Sequence, residues 1–370
     1  MPRRRPREKD YSDLLDDATG DSRVDARGGG SQKFGQKTKH YQKNKTLRTA
    51  AERMSDARLA AEKKALPIGE VVQVHSLYAS VEDRSTEAPR GEGPMLLCTS
   101  RRTMRKVIAE ELGEVCVGDR VRFRPTGGTA NLNAGESVVG EAIELPEGVI
   151  EAVEPRKSIL MRVDSFDDRK LDPIVANAGQ FLIVVSMHNP YPRWGLVDRM
   201  LVAAQAGGLR PVVVVNKADL RGEADDAAGT DAAVAHYRTL GVRSVFTSIE
   251  TGEGIAEFQE VLAGQTTVLA GHSGVGKSSL VNAALGVNLR VGTVSEAHSK
   301  GRHTTTSARR YMLDSGNGAV VDTPGIKVFG LTIEAERLGE FFPDIEGGTA
   351  PAWRVESFER IRDSLTSVRD

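Results

Sequence analysis

The sequence predicts an α/β protein in which a small β-barrel precedes a doubly wound parallel sheet and a short helical segment closes the chain. Two observations carry this expectation. Four short runs, QFLIVVS (180–186), PVVVVN (211–216), TTVLAG (266–271) and AVVDTPG (319–325), are apolar on both alternating sets of positions, as parallel strands covered by helices on both faces must be. Ahead of them the chain reads instead as short strands broken by Gly-rich turns, the pattern of a small antiparallel barrel.

At 370 residues the chain exceeds what one core usually holds, and its character changes along its length. Residues 1–66 hold 17 Lys and Arg against 10 Asp and Glu, although the whole chain is balanced at -1. Within them, KFGQKTKHYQKNKTLR (33–48) has no acid and no core-forming period, so it predicts a disordered basic arm able to neutralise phosphates or simply to solubilise. A helix-like stretch, Thr49 to Leu66, stops at Pro67. The barrel is expected over 67–155, from GEVVQVHSLYASVE (69–82), PMLLCTS (94–100), GDRVRFRP (118–125), a Gly, Asn and Thr loop (126–135) and GVIEAVEP (148–155); five strands would suit an OB-fold. Arg101, Arg102, Arg105 and Lys106 would form a basic patch on it or a solvated face.

The α/β unit is expected over 156–330. In WGLVDRMLVAAQAGG (194–208), Leu196, Met200, Leu201 and Ala204 share one helix face and glycine ends the run. Residues 331–370 are expected to be helical, with Phe358, Ile361 and Leu365 on one face of ESFERIRDSLTSV (356–368). Composition excludes several classes of protein. The longest apolar run is FLIVVSM (181–187), too short for a bilayer, and the basic MPRRRPREKD start leads into no apolar stretch. A cytoplasmic location away from membranes is therefore expected; a monomer is the default, since nothing in the sequence shows the oligomeric state. Cys98 and Cys116, the two cysteines, are too few for a disulfide framework and suit a core.

GHSGVGKSS (271–279) fits G-x-x-x-x-G-K-[ST], with a strand-like run before it and the helix-like SLVNAALG after it. Gly271, Gly274 and Gly276 let the backbone wrap phosphates, and His272, Ser273, Val275 and Ser279 complete the loop. Lys277 would neutralise the β- and γ-phosphates, and the Ser278 hydroxyl would hold Mg²⁺. NKAD (216–219) follows a buried strand directly. Asp219 can accept from guanine N1–H and the 2-amino group, a donor pair adenine lacks, so the nucleotide is GTP or GDP. Asn216 would tie this loop to the phosphate loop, the Lys217 stem would lie along the base, and Ala218 joins them. TSIETGEG (247–254) could close over guanine O6 through backbone N–H groups near Ser248 and Ile249.

DTPG (322–325) supplies Asp322 for Mg²⁺ and the Gly325 N–H for the γ-phosphate. GRHTTT (301–306) lies where the other switch belongs, and Thr305, with Thr304 beside it, is the expected Mg²⁺-sensing threonine. The order is unusual, because NKAD precedes the phosphate loop. The domain reads as a circularly permuted P-loop GTPase. After DTPG stands Ile326, where Ras-like proteins place the glutamine that orients water. His303 is the candidate to position the water instead; otherwise a partner supplies the group, and His303 merely packs or contacts that partner.

The permuted order together with GHSGVGKSS, GRHTTT and DTPGI resembles the RsgA family (also called YjeQ or EngC), circularly permuted GTPases that assist bacterial small-ribosomal-subunit maturation. GEVVQVHSLYASVE and VCVGDRVRF look like its OB domain, and LVDRMLVAAQAGGLRPVVVVNKADL and FFPD like its GTPase domain, so the likeness runs from residue 68 to 345. It implies Mg²⁺-dependent GTP hydrolysis, slow alone and stimulated by the small subunit and its rRNA. Family members usually carry a Cys/His zinc site after FPD, but no Cys or His follows His303 here, so no zinc is expected. Two rivals remain, a permuted GTPase of the large subunit and a GTP-gated RNA-binding protein without hydrolysis.

Overall fold

The computed structural model describes residues 62–75, 77–100, 114–132, 142–163, 171–223, 226–285, 308–313, 316–323 and 330–366. The basic arm, the Arg101 to Lys106 patch, the GRHTTT segment with His303, Thr304 and Thr305, and Gly325 and Ile326 lie outside the described residues.

The barrel opens with β1 (Ile68–Val74) and β2 (Ala79–Asp83), which pair antiparallel. The stretch 69–82 is thus a hairpin. Then come β3 (Met95–Ser100), β4 (Arg120–Leu132) and β5 (Ile143–Val153). β3 lies parallel to β5, β5 antiparallel to β4, and the β1–β4 pairing closes an OB-like ring. Val71, Val81, Val121, Phe123 and Ile150 fill it, and both cysteines are buried. The expected loop at 126–135 is corrected: β4 continues to Leu132 along β5. Local turn chemistry lost because β5 supplies the backbone partners from a distant part of the chain, while the register shift between Pro125 and Thr129 absorbs Gly127, at φ +80°.

After the barrel, β6 (Ile159–Val163) and β7 (Leu171–Ala176) form a separate antiparallel ribbon, which apolar patterning did not reveal. β8 (Gln180–Ser186), β9 (Arg210–Asn216), β10 (Arg243–Phe246) and β11 (Thr266–Ala270) follow, then β12 (Arg309–Met312) and β13 (Ala319–Asp322). Their order is β10-β9-β8-β11-β13-β12, parallel except for β12.

Doubly apolar strands do face two cores. Phe181, Ile183 and Val185 of β8 point to one, with Met200 and Leu201 of α1 (Trp194–Ala206) and Val234 of α2 (Ala227–Thr239). Leu182 and Val184 point to the other, with Phe258 of α3 (Ile255–Leu262) and Leu280 of α4 (Lys277–Leu285). Burying each such side chain contributes about 1.5–3 kcal/mol.

The C-terminal segment contains α5 (Pro343–Glu346) and α6 (Ala352–Thr366). Ile361 is buried, and Phe358 and Leu365 pack beside it on the first core, the face expected from spacing. Charge fixes α6 as well. Arg354, 3% exposed, pairs with the fully buried Asp198 of α1 and donates to Asp344 Oδ2 at 2.5 Å. Tyr237 donates to Asp198 and His236 to Asp344. Burial pulls the Asp344 carboxyl upward, but the bonds from Arg354 and His236 outweigh it and hold it below the ordinary value. Its stabilisation is therefore present above the unfolded carboxyl pKa and lost as pH falls through the folded one. Arg354→Met takes the shared cation from two buried carboxylates, and urea unfolding is expected to show a loss of about 3–5 kcal/mol.

Candidate nucleotide-binding site

Because β8, β9, β10, β11 and β13 are parallel, every segment that leaves their carboxyl ends emerges at one edge, where α/β sheets bind ligands. The loop 271–276, NKAD, TSIETGEG and Asp322 are brought there together from positions up to 106 residues apart (Asn216 to Asp322).

The phosphate loop leaves β11 and ends at the N-terminus of α4, whose first residue is Lys277 and whose second is Ser278. Gly276 has φ +87°, and a Cβ there would stand 2.5 Å from Asn216 Nδ2. Gly271 lies so close to the Val184 carbonyl that a side chain would collide with backbone. These two glycines are required by contact as well as by dihedral. Gly276→Ala adds about 1–3 kcal/mol of local strain, so titration with a fluorescent nucleotide is expected to show binding about tenfold or more weaker.

Lys277 Nζ donates to the Gly271 and His272 carbonyls at 2.9 and 3.0 Å. Burial pushes its pKa down, opposed by Asp322, while burial pushes the Asp322 carboxyl up, opposed by Lys277. Each charge is under-compensated by the other. A phosphate against Lys277 and a hard cation against Asp322 would relieve both, and the Ser278 hydroxyl at the helix start adds a further oxygen donor. Thr323 Oγ1 donates to the Leu269 carbonyl at 2.9 Å, pinning the strand that carries Asp322 beside β11. Among the described residues no group of three His, Cys, Asp or Glu is placed to hold a metal ion.

Asn216 joins three loops. Its Nδ2 donates to the Val275 carbonyl at 2.9 Å, and its Oδ1 accepts from Thr247 Oγ1 at 3.1 Å. Lys217 takes φ +59° and its Nζ donates to the Asn189 carbonyl at 2.5 Å, which stretches the stem across the site. Asp219 Oδ1 accepts from Ser248 Oγ at 2.5 Å, so the carboxylate is aimed before any base arrives. The Ser248 N–H is spent on the Glu253 carbonyl. Of the two amides expected to face a base oxygen, that leaves Ile249, which is 37% exposed.

Thr247, Thr323 and the Asn189 carbonyl were not foreseen. Thr247 sits beside Ser248 in a loop already singled out, but a backbone carbonyl carries no sequence signal. Ser279, His272, Ser273, Gly274 and Val275 lie in the phosphate loop or the first turn of α4, as expected, and Ala218 donates its N–H to the Thr247 carbonyl at 3.0 Å.

Comparison with known proteins follows the same residues. A family model described as RsgA GTPase matches residues 153–332. The Small ribosomal subunit biogenesis GTPase RsgA of Azotobacter vinelandii is 44% identical over 226 residues, 60% of this chain and 62% of that protein's length, less than two thirds of it. The protein of that name from Sodalis glossinidius is 32% identical over 337 residues, 82% of this chain and 88% of the relative. Among solved structures, YjeQ from Thermotoga maritima matches with TM-score 0.54 and 28% identity, over 81% of this chain and 98% of its own. YloQ, a circularly permuted GTPase, shares the fold at TM-score 0.54 and 22% identity, over 82% and 96%.

Proposed function

The chain belongs to the RsgA GTPase family, and from that premise we propose that it binds and hydrolyses GTP and acts in late maturation of the small (30S) ribosomal subunit, which stimulates the hydrolysis. The observation that most supports this reading is Asn216, hydrogen-bonded at once to the phosphate loop and to the 247–254 loop. It makes base recognition and phosphate binding one rigid unit.

In this reading Asp219 accepts from guanine N1–H and the 2-amino group, the Ile249 N–H meets O6, and the Lys217 stem covers the ring. Lys277 leaves its two carbonyls for the β- and γ-phosphate oxygens. Mg²⁺, when bound, neutralises phosphate charge, held by Ser278, Thr305 and, through water, Asp322. Gly325 senses the γ-phosphate, and His303 positions the attacking water, because Ile326 has no group to do so. The barrel of 67–155 and the basic arm of 1–66 contact rRNA, 156–330 form the GTPase unit, and 331–370 pack helically without zinc. The protein works as a cytoplasmic monomer; no described helix is long and apolar enough to cross a membrane.

GTP turnover by the purified protein, alone and with small or large ribosomal subunits, at low and physiological salt, tests the reading. Stimulation by small subunits alone is expected. Stimulation by large subunits would point to the other permuted lineage, and GTP binding without turnover would support a non-hydrolysing switch.

A further inference from the structure

The barrel and the nucleotide-binding sheet are joined by side chains more than by backbone. β1 and β12 are neighbours in one eleven-stranded sheet, yet they share a single residue pair, Gln73 with Arg309. Beside that bridge Arg310, 2% exposed, lies 2.6 Å from Glu70 of β1 and pairs with Glu82 of β2, itself 1% exposed. Arg90 pairs with the same Glu70 carboxylate, and its Nη1 donates at 2.9 Å to Thr266 Oγ1, at the start of the strand that leads into the phosphate loop. Glu82 also accepts from the Gly91 N–H at 2.6 Å, and Gly91 sits so tightly on Met312 of β12 that a Cβ would strike that side chain. Burial pulls the Glu70 carboxyl upward, and Arg310 and Arg90 outweigh it, so it stays charged below its ordinary pKa.

A buried ion cluster is a poor source of net stability, because desolvation consumes most of the attraction; its best-attested use is to fix the register of two parts. The parts held here are the barrel and the strands under the nucleotide. β12 also pairs with β13, where Arg309 stands opposite Asp322, and Arg90 reaches β11. We propose that Glu70, Glu82, Arg90 and Arg310 couple nucleotide state to the barrel, so that movement of β11 and β13 on exchange of GDP for GTP is passed through β12 to β1 and β2. By linkage, a partner seated on the barrel then biases the nucleotide site by the same factor. This rests on the reading that the site takes guanine nucleotide, but not on the ribosomal partner.

The test is amide hydrogen exchange in residues 68–83 of the full chain, with GDP and with a non-hydrolysable GTP analogue, both with Mg²⁺. A difference of roughly threefold or more between the two states is expected. Arg310→Met would remove the buried cation that Glu70 and Glu82 share and endanger folding, so the variants are Arg90→Met, at a side chain one-third exposed, and Glu70→Gln. Glu70→Gln, which removes the carboxylate that both arginines share, is expected to abolish most of the difference, and Arg90→Met, which cuts the β11 arm alone, to reduce it, while analogue affinity and basal turnover stay within about twofold. Equal exchange in the two wild-type states, or an undiminished difference in both variants, overturns the coupling. If the analogue does not bind, the nucleotide reading and the coupling fall together. If subunits do not stimulate turnover but exchange still differs, only the ribosomal reading fails.

Discussion

Asp219→Asn is expected to convert a GTP site into one that prefers xanthosine triphosphate. The carboxylate accepts two hydrogen bonds from guanine, and replacing one oxygen with an amide NH₂ turns an acceptor toward the 2-amino group into a donor facing a donor. A hydrogen bond to a charged group contributes about 1.5–3 kcal/mol, and a buried donor left unpaired costs about 1–3 kcal/mol more, so losing the bond to the 2-amino group weakens GTP by roughly 10²- to 10⁴-fold. Xanthine carries a carbonyl where guanine has its amine, so the new donor finds an acceptor. The loop should survive the change, because Ser248 Oγ, which donates to Asp219 Oδ1, can donate equally to an amide oxygen. Competition between the two nucleotides for a fluorescent analogue measures the ratio. An unchanged preference would remove Asp219 from base recognition and the guanine assignment with it.

Lys277→Met should remove turnover without harming the fold. Its ammonium is disfavoured by burial and held by two backbone carbonyls, so the methionine replaces an under-compensated charge with an apolar stem of similar length. The nucleotide-free variant is therefore expected to melt no lower than the parent. What disappears is stabilisation of phosphate charge as it shifts in the transition state, and removing one such group costs on the order of 10²–10³ in rate. The thermal shift produced by saturating GTP, which reports binding energy directly, should shrink as well. A variant that kept both its turnover and its thermal shift would show that Lys277 never leaves the Gly271 and His272 carbonyls, and the phosphate position would have to be sought elsewhere.

Both predictions concern residues that consecutive sequence made visible. A phosphate loop is legible because its function depends on local backbone: Gly271 and Gly276 must adopt conformations and close approaches that a side chain forbids, and the strand before and helix after them have their own patterns. NKAD is legible for the same reason, lying at the end of a strand apolar on both faces. The long β4 was not, since Thr126 to Leu132 carries turn residues, and only the distant β5 makes a strand of it.

By itself, then, the sequence determined the elements whose physics is local: the doubly apolar strands, the amphipathic helices α1 and α6, the glycine-bound phosphate loop, and the permuted order of the motifs. Tertiary structure decided everything that depends on partners far apart in the chain. Arg310 meets Glu82 across 228 positions, and Arg354 meets Asp198 across 156, yet as letters these arginines look like any charge on a solvated face. Their burial is set by how the barrel and the C-terminal helix pack on the sheet. An ion pair between distant segments has no periodicity and no fixed spacing, because Coulomb attraction acts through space and is indifferent to the length of chain between the charges.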